Sequence, residues 1–330
     1  MKKSGRFSFL TLAVMALAVL ISAPAWAQME LKAGHTLAPT HPYHLGLEKF
    51  GELLKEKTNG AVTLAVFHSS QLGSERELIE ALQMGTVDAT CISTAPLAGF
   101  TKAFMIYDLP FIFPDSATAH KVLDGEIGQN SMTELDKIGI VGLVFFENGF
   151  RQVTNSRGPV VKPTDARGLK IRTMENKIHM ASFRTVGANP VPMAFGELFT
   201  ALQQKTIDAQ ENPLPIIFNN KFYEVQKYVS MTNHFYSPAP LLVSKKVWEK
   251  LSDDQKTAFQ EAAVEARAYQ REELAKQDAA YLKDLQEQGM ELNEVDREAW
   301  VKAMAPVYKQ FEKEVGGAEL IKKVQDAGTN

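Results

Sequence analysis

Apolar positions along the chain recur with two different periods, and the alternation between them outlines the fold. Leu47, Phe50, Leu53 and Leu54 fall three and four residues apart, which predicts a helix opening near Pro42 and stopped by Asn59-Gly60. Ala61 to Phe67 alternates, with Val62, Leu64 and Val66 on one side, and reads as a strand. Ser74-Glu75-Arg76-Glu77 has the spacing of a capping box and opens a helix that runs to Gly85. Val87 to Ile92 is a buried strand, and Met29 to Ala33 opens the series with another. A β-α-β-α-β order calls for a mostly parallel sheet covered by helices. The pattern then returns. Strands are predicted at Ile140–Phe146, Leu169–Thr173 and Ile207–Ala209, and helices at Lys177–Val186 and Phe195–Lys205. From Ser252 to Gln288 runs one long helical pattern, capped by Ser252 and Gln255 and ended by Gly289. At about 1.5 Å per residue it exceeds one lobe and can lie along two as a strut. A coiled coil is the other reading, but its apolar positions are mostly alanines without a sustained heptad.

The organisation rests on an internal repeat. Glu77 to Ala89 aligns without a gap against Glu197 to Ala209, 120 residues later, with eight of thirteen positions identical. Both copies end a helix and enter a strand through Thr-x-Asp-Ala, which chance similarity between amphipathic helices would not preserve. Two α/β lobes of similar build follow, facing each other. Ligands of open α/β sheets bind beyond the carboxyl ends of the strands, so facing lobes create a cleft.

The first 27 residues read as a signal peptide. Lys2, Lys3 and Arg6 precede the apolar run Phe7–Ile21, and Ala25-Trp26-Ala27 supplies a cleavage site. The remaining 303 residues suffice for two cores, and their formal charge moves from −3 to −6 when those three cations are removed. A mildly acidic chain argues against nucleic acid as a partner. The single cysteine, Cys91, lies in an apolar strand and reads as a small core residue.

Catalytic signals are lacking: there is no Gly-x-Ser-x-Gly elbow, phosphate-binding loop or His-Glu-x-x-His. His35, His41 and His44 match no standard metal spacing, so no metal and no cofactor is expected, although His35 follows a strand and could face the cleft. What remains is a set of anion-recognition groups at strand ends. Arg151 follows Glu147-Asn148-Gly149-Phe150 where the chain can cross between lobes, and Arg172 sits inside the strand Lys170-Ile171-Arg172-Thr173. Burying either arginine is costly unless an anion pairs with it. Two readings stay open at this level: a bound carboxylate, which the planar guanidinium fits, or an internal salt bridge.

Those stretches carry a resemblance to the DctP family, the solute-binding proteins of TRAP (tripartite ATP-independent periplasmic) transporters. It covers essentially the whole chain after the signal peptide. It is carried by Gln71–Arg76, Asn148–Asn155, Gly168–Arg172, Pro192–Glu197, Asp208–Pro213 and Lys221–Lys227, in the family's order. The resemblance implies a two-lobed periplasmic binding protein fold of α/β class, with hinge strands and a long helix bridging both lobes. It places one lobe at 28–149 with 238–277 and the other at 150–237 with 278–330. It implies that Arg172 makes the principal salt bridge to a ligand carboxylate, supported by Arg151 and Asn212, with Phe195 as an apolar wall. Glu75 matches a polar position on the first lobe, although a helix-capping role stays equally open. His35, Glu75 and Tyr236 would suit the hydroxyls of a sugar acid or hydroxy acid, the neutral Ser93-Thr94-Ala95-Pro96 argues against sialic acid, and C4-dicarboxylates, 2-oxo acids and small sulfonates stay open. The implied protein is a non-enzymatic, monomeric periplasmic receptor that delivers a small organic acid to TRAP membrane subunits. A binding protein feeding a sensory receptor would use the same cleft.

Overall fold

A computed structural model describes residues 28–328, so the signal-peptide segment lies outside the described residues. Two sheets form, each around the repeat. The first carries β1 (Met29–Gly34), β2 (Val62–Phe67), β3 (Ala89–Cys91), β4 (Ile140–Phe150) and β10 (Tyr236–Ser244), in the order β2-β1-β3-β10-β4. The second carries β5 (Gln152–Asn155), β6 (Lys170–Thr173), β7 (Asn189–Pro192), β8 (Ala209–Asn212), β9 (Tyr228–Ser230) and β11 (Glu291–Asn293), in the order β11-β9-β5-β8-β6-β7. In each sheet the three repeat strands run parallel, and an antiparallel strand closes on the third: β10 on β3, β5 on β8.

The repeat motif is a structural staple. In the first lobe Thr86 N–H and Oγ1 both donate to Ala81 O, at 3.0 and 3.3 Å, closing helix α2 (Glu75–Met84). Asp88 then clamps β1: its backbone N–H donates to Lys32 O at 3.0 Å, and its carboxylate accepts from Lys32 N–H at 2.7 Å. In the second lobe Thr206 closes on Ala201 O at 3.0 Å, and Asp208 clamps Lys170 on β6 through the same pair of bonds, at 2.8 and 2.9 Å. This chemistry explains why both strands begin after the aspartate: the expected Val87–Ile92 and Ile207–Ala209 are Ala89–Cys91 and Ala209–Asn212.

Two of the chain's crossings between lobes run side by side. The chain leaves β4 at Phe150 and enters β5 at Gln152, and it returns from β9 to β10 through 231–235; Arg151 N–H donates to Phe235 O at 2.9 Å, tying the crossings together. The long helix spans Asp253–Glu287, 35 residues, with Ser252 and Gln255 forming the capping box. At 1.5 Å per residue it is about 52 Å long. It packs on helix α1 (Pro42–Lys57) and β4 from the first lobe and on the helix Leu214–Asn219 from the second. Its close approach to α1 depends on Gly46, where a Cβ would stand 2.8 Å from Gln270 Cγ and from the Phe146 ring. The C-terminal segment straddles the lobes: Trp300 and Met304 join the core of Val153 and Ile171, whereas Val307, Phe311 and Val324 pack with Leu78 and Phe104.

Candidate functional site

The carboxyl ends of β3 and β8 face each other across a small, nearly closed cavity. Thr36, Leu37, Glu75, Ser93 and Asn148 line it from the first lobe, and Arg172, Met174, Phe195, Asn212 and Ile216 from the second. Glu75 and Phe195 hold equivalent places two residues ahead of the repeat, 120 residues apart, each the first residue of its helix. The repeat therefore presents an acid from one wall and an aromatic ring from the other.

Arg172 is 2% exposed, with its Nε and one Nη donating to Met193 O at 2.9 and 2.8 Å and its guanidinium 5.9 Å from the centre of the Phe195 ring. Among the described residues no carboxylate lies within ion-pair distance of it. Burial, and then the neighbouring Arg151, push its pKa down to about 10, against more distant attraction from Glu211, Glu75 and Glu175. It is a buried cation lacking a counter-ion.

Arg151 has the opposite fate. Its Nε donates to Glu211 Oε2 at 2.5 Å, and one Nη reaches Glu211 Oε1 at 2.9 Å, Glu211 O at 2.6 Å and Asn212 Oδ1 at 3.0 Å. His234 Nε2 lies 3.1 Å from the same carboxylate, with its Nδ1 2.7 Å from Thr232 Oγ1. Burial alone would raise the Glu211 pKa, but the Arg151 charge and the His234 and Arg151 hydrogen bonds hold it well below the usual range. The internal salt bridge thus describes Arg151 and not Arg172. Arg151 does not line the cavity; it fixes Asn212, whose Nδ2 donates to Gln210 Oε1 at 2.5 Å, while its other Nη stays buried without a partner.

Glu75 takes no part in capping its own helix. Ser74 and Glu77 form that box, and Glu75 Oε1 instead accepts from Ser93 N–H at 2.7 Å, where burial raises its pKa. The structure does not bring His35 and Tyr236 to the cavity wall. His35 Nε2 lies 3.1 Å from His44 Nδ1, its Nδ1 accepts from Leu37 N–H at 3.3 Å, and burial beside His44 and His68 pushes its pKa down to about 3. It supports the Thr36–Leu37 wall from behind. Tyr236 packs edge-on against Phe113 and Phe150. Ser93 and Asn148 are polar wall residues that the sequence did not single out; Gly149 and the prolines of β10 are the signal, because both residue types mark irregular strands.

Two α/β lobes joined by crossing strands and closed over a small cavity, with an unpaired guanidinium in its wall, define a solute-binding protein. The chain belongs to the DctP family, "Bacterial extracellular solute-binding protein, family 7", whose sequence model matches residues 33–314. It is 38% identical over 308 residues to the 2,3-diketo-L-gulonate-binding periplasmic protein YiaO of Escherichia coli, covering 92% of this chain and 94% of that one. Among solved structures, a TRAP periplasmic solute-binding protein from Polaromonas sp. JS666 bound to D-erythronate matches with a TM-score of 0.89 and 45% identity, over 90% of this chain and 98% of that one. The sugar acid-binding protein DctPAm of Advenella mimigardefordensis in complex with galactonate matches with a TM-score of 0.89 and 37% identity, over 92% and 98%. The protein is a periplasmic, non-enzymatic solute receptor of a TRAP transporter.

Proposed function

We propose that this receptor captures a small hydroxylated organic acid by its carboxylate and presents it, with the lobes closed, to the TRAP membrane subunits. The observation that carries the reading is Arg172, a buried guanidinium at the wall of an interlobe cavity that forms no ion pair with a carboxylate among the described residues. A ligand carboxylate supplies the missing charge, and Asn212, held in place by Arg151, stands beside it. The first lobe then closes Glu75, Ser93 and Asn148 over the rest of the ligand. Water exclusion strengthens each charged hydrogen bond, and closure follows from the ligand's higher affinity for the closed state. Relatives that hold D-erythronate, galactonate and 2,3-diketo-L-gulonate support an acid carrying hydroxyls. Calorimetry on the purified protein should detect binding of at least one of D-erythronate, galactonate, 2,3-diketo-L-gulonate and succinate, and none of the corresponding neutral amide. Equal affinity for acid and amide, or no binding across the panel, would refute the reading.

A further inference from the structure

Asn148 is 1% exposed, lines the cavity, and is placed there by an irregularity in the sheet. In the β4–β10 ladder Ser237 pairs with Gly149 and the next residue, Pro238, pairs with Glu147, so Asn148 is bulged out of the pairing. A bulge re-aims a side chain and frees backbone groups that must find other partners. Pro238 has no N–H to offer Glu147. The long helix supplies the substitute: Gln270, fully buried, donates from Nε2 to Glu147 O at 2.7 Å and accepts Glu147 N–H on Oε1 at 2.8 Å. Pro238 and Gln270 together therefore hold the bulge.

Within the cavity, Asn148 Nδ2 faces Ser93 Oγ at 3.4 Å and Ser237 Oγ at 3.5 Å, while Oδ1 is buried with no hydrogen-bond partner. A buried, unpaired amide oxygen is unfavourable until a donor meets it. A ligand carboxylate has no proton to give; a ligand hydroxyl has. Resting on the reading of the cavity as a carboxylate site, we propose that Asn148 is a specificity-determining residue that accepts a hydrogen bond from a hydroxyl of the bound acid.

The test is a calorimetric comparison of one four-carbon series, D-erythronate, the 2-, 3- and 4-hydroxybutyrates and butyrate, against the wild-type protein, Asn148→Leu and Asn148→Asp. In the wild type at least one hydroxylated acid should bind more tightly than butyrate. Asn148→Leu should shrink that advantage by about tenfold, with little change for butyrate. Asn148→Asp keeps an acceptor at the same place, so it should retain the advantage even where the added charge weakens every acid, and it reports if Asn148→Leu fails to fold. An unchanged advantage in Asn148→Leu, or its loss in Asn148→Asp as well, would overturn the assignment while leaving the carboxylate reading intact. Absence of binding by the wild type to the whole series would remove both.

Discussion

Replacing Arg172 with methionine separates a binding cation from a structural one, because the two roles predict different effects on folding. In the ligand-free protein its pKa is pushed from 12.5 down to about 10, so below that pH the folded state holds the cation at a penalty. At 1.36 kcal/mol per pKa unit the penalty is about 3 kcal/mol at neutral pH. Methionine removes it but leaves Met193 O without the two donors it now has, a loss of about 1–3 kcal/mol. The two effects nearly cancel, so urea unfolding of ligand-free Arg172→Met should differ from wild type by less than about 2 kcal/mol. Binding should behave otherwise. Truncating one partner of a buried, hydrogen-bonded charge pair costs about 2–5 kcal/mol, which is about thirty-fold to several thousand-fold in affinity. A ligand at one hundred times its wild-type Kd should stabilise the wild type by about 2.7 kcal/mol and the variant by less than about 1 kcal/mol. A variant that loses more than about 4 kcal/mol of ligand-free stability yet binds D-erythronate normally would show that Arg172 serves the fold.

Two further perturbations address the frame around the site. Glu211→Gln strips Arg151 and His234 of their shared carboxylate and should cost about 3–5 kcal/mol in urea unfolding. Because the folded Glu211 pKa is depressed, its contribution is full above the ordinary value of 4.5 and is lost as pH falls toward the lower folded value. The loss of wild-type stability as pH falls below 4.5 should therefore flatten in the variant, and an unchanged acid limb would contradict the assignment. Asp88→Ala and Asp208→Ala each remove a carboxylate clamp on a neighbouring strand, at 2.7 and 2.9 Å. Each should cost about 1–2 kcal/mol, and by similar amounts, since the two lobes use the same device; a threefold disparity would mean that the copies are not equivalent.

How much of this was legible beforehand follows the range of the forces involved. The repeat, the capping boxes at Ser74 and Ser252, the long helix and the alternation of strands and helices along the chain rest on local contacts or on periodicity, and they appear in the structure close to where the pattern put them. The strand starts at Ala89 and Ala209 moved because the aspartates of the repeat engage the neighbouring strand instead of joining their own. The resemblance brought Arg172, Asn212, Phe195 and Glu75 forward, and all four line one cavity. Local sequence could not tell that Arg151 pairs with Glu211, 60 residues away, while Arg172 forms no ion pair among the described residues. Nor could it tell that Glu75 turns from its own helix to Ser93, or that His35 and Tyr236 are held away from the cavity by His44 and by Phe113. Asn148 depends on three separate segments, since Pro238 and Gln270 make the bulge that aims it. The sequence by itself determined the two lobes, because hydrophobic periodicity and capping act within a single element. Only the tertiary structure decided which buried charge goes unpaired, because that depends on which distant side chains packing brings within hydrogen-bond reach.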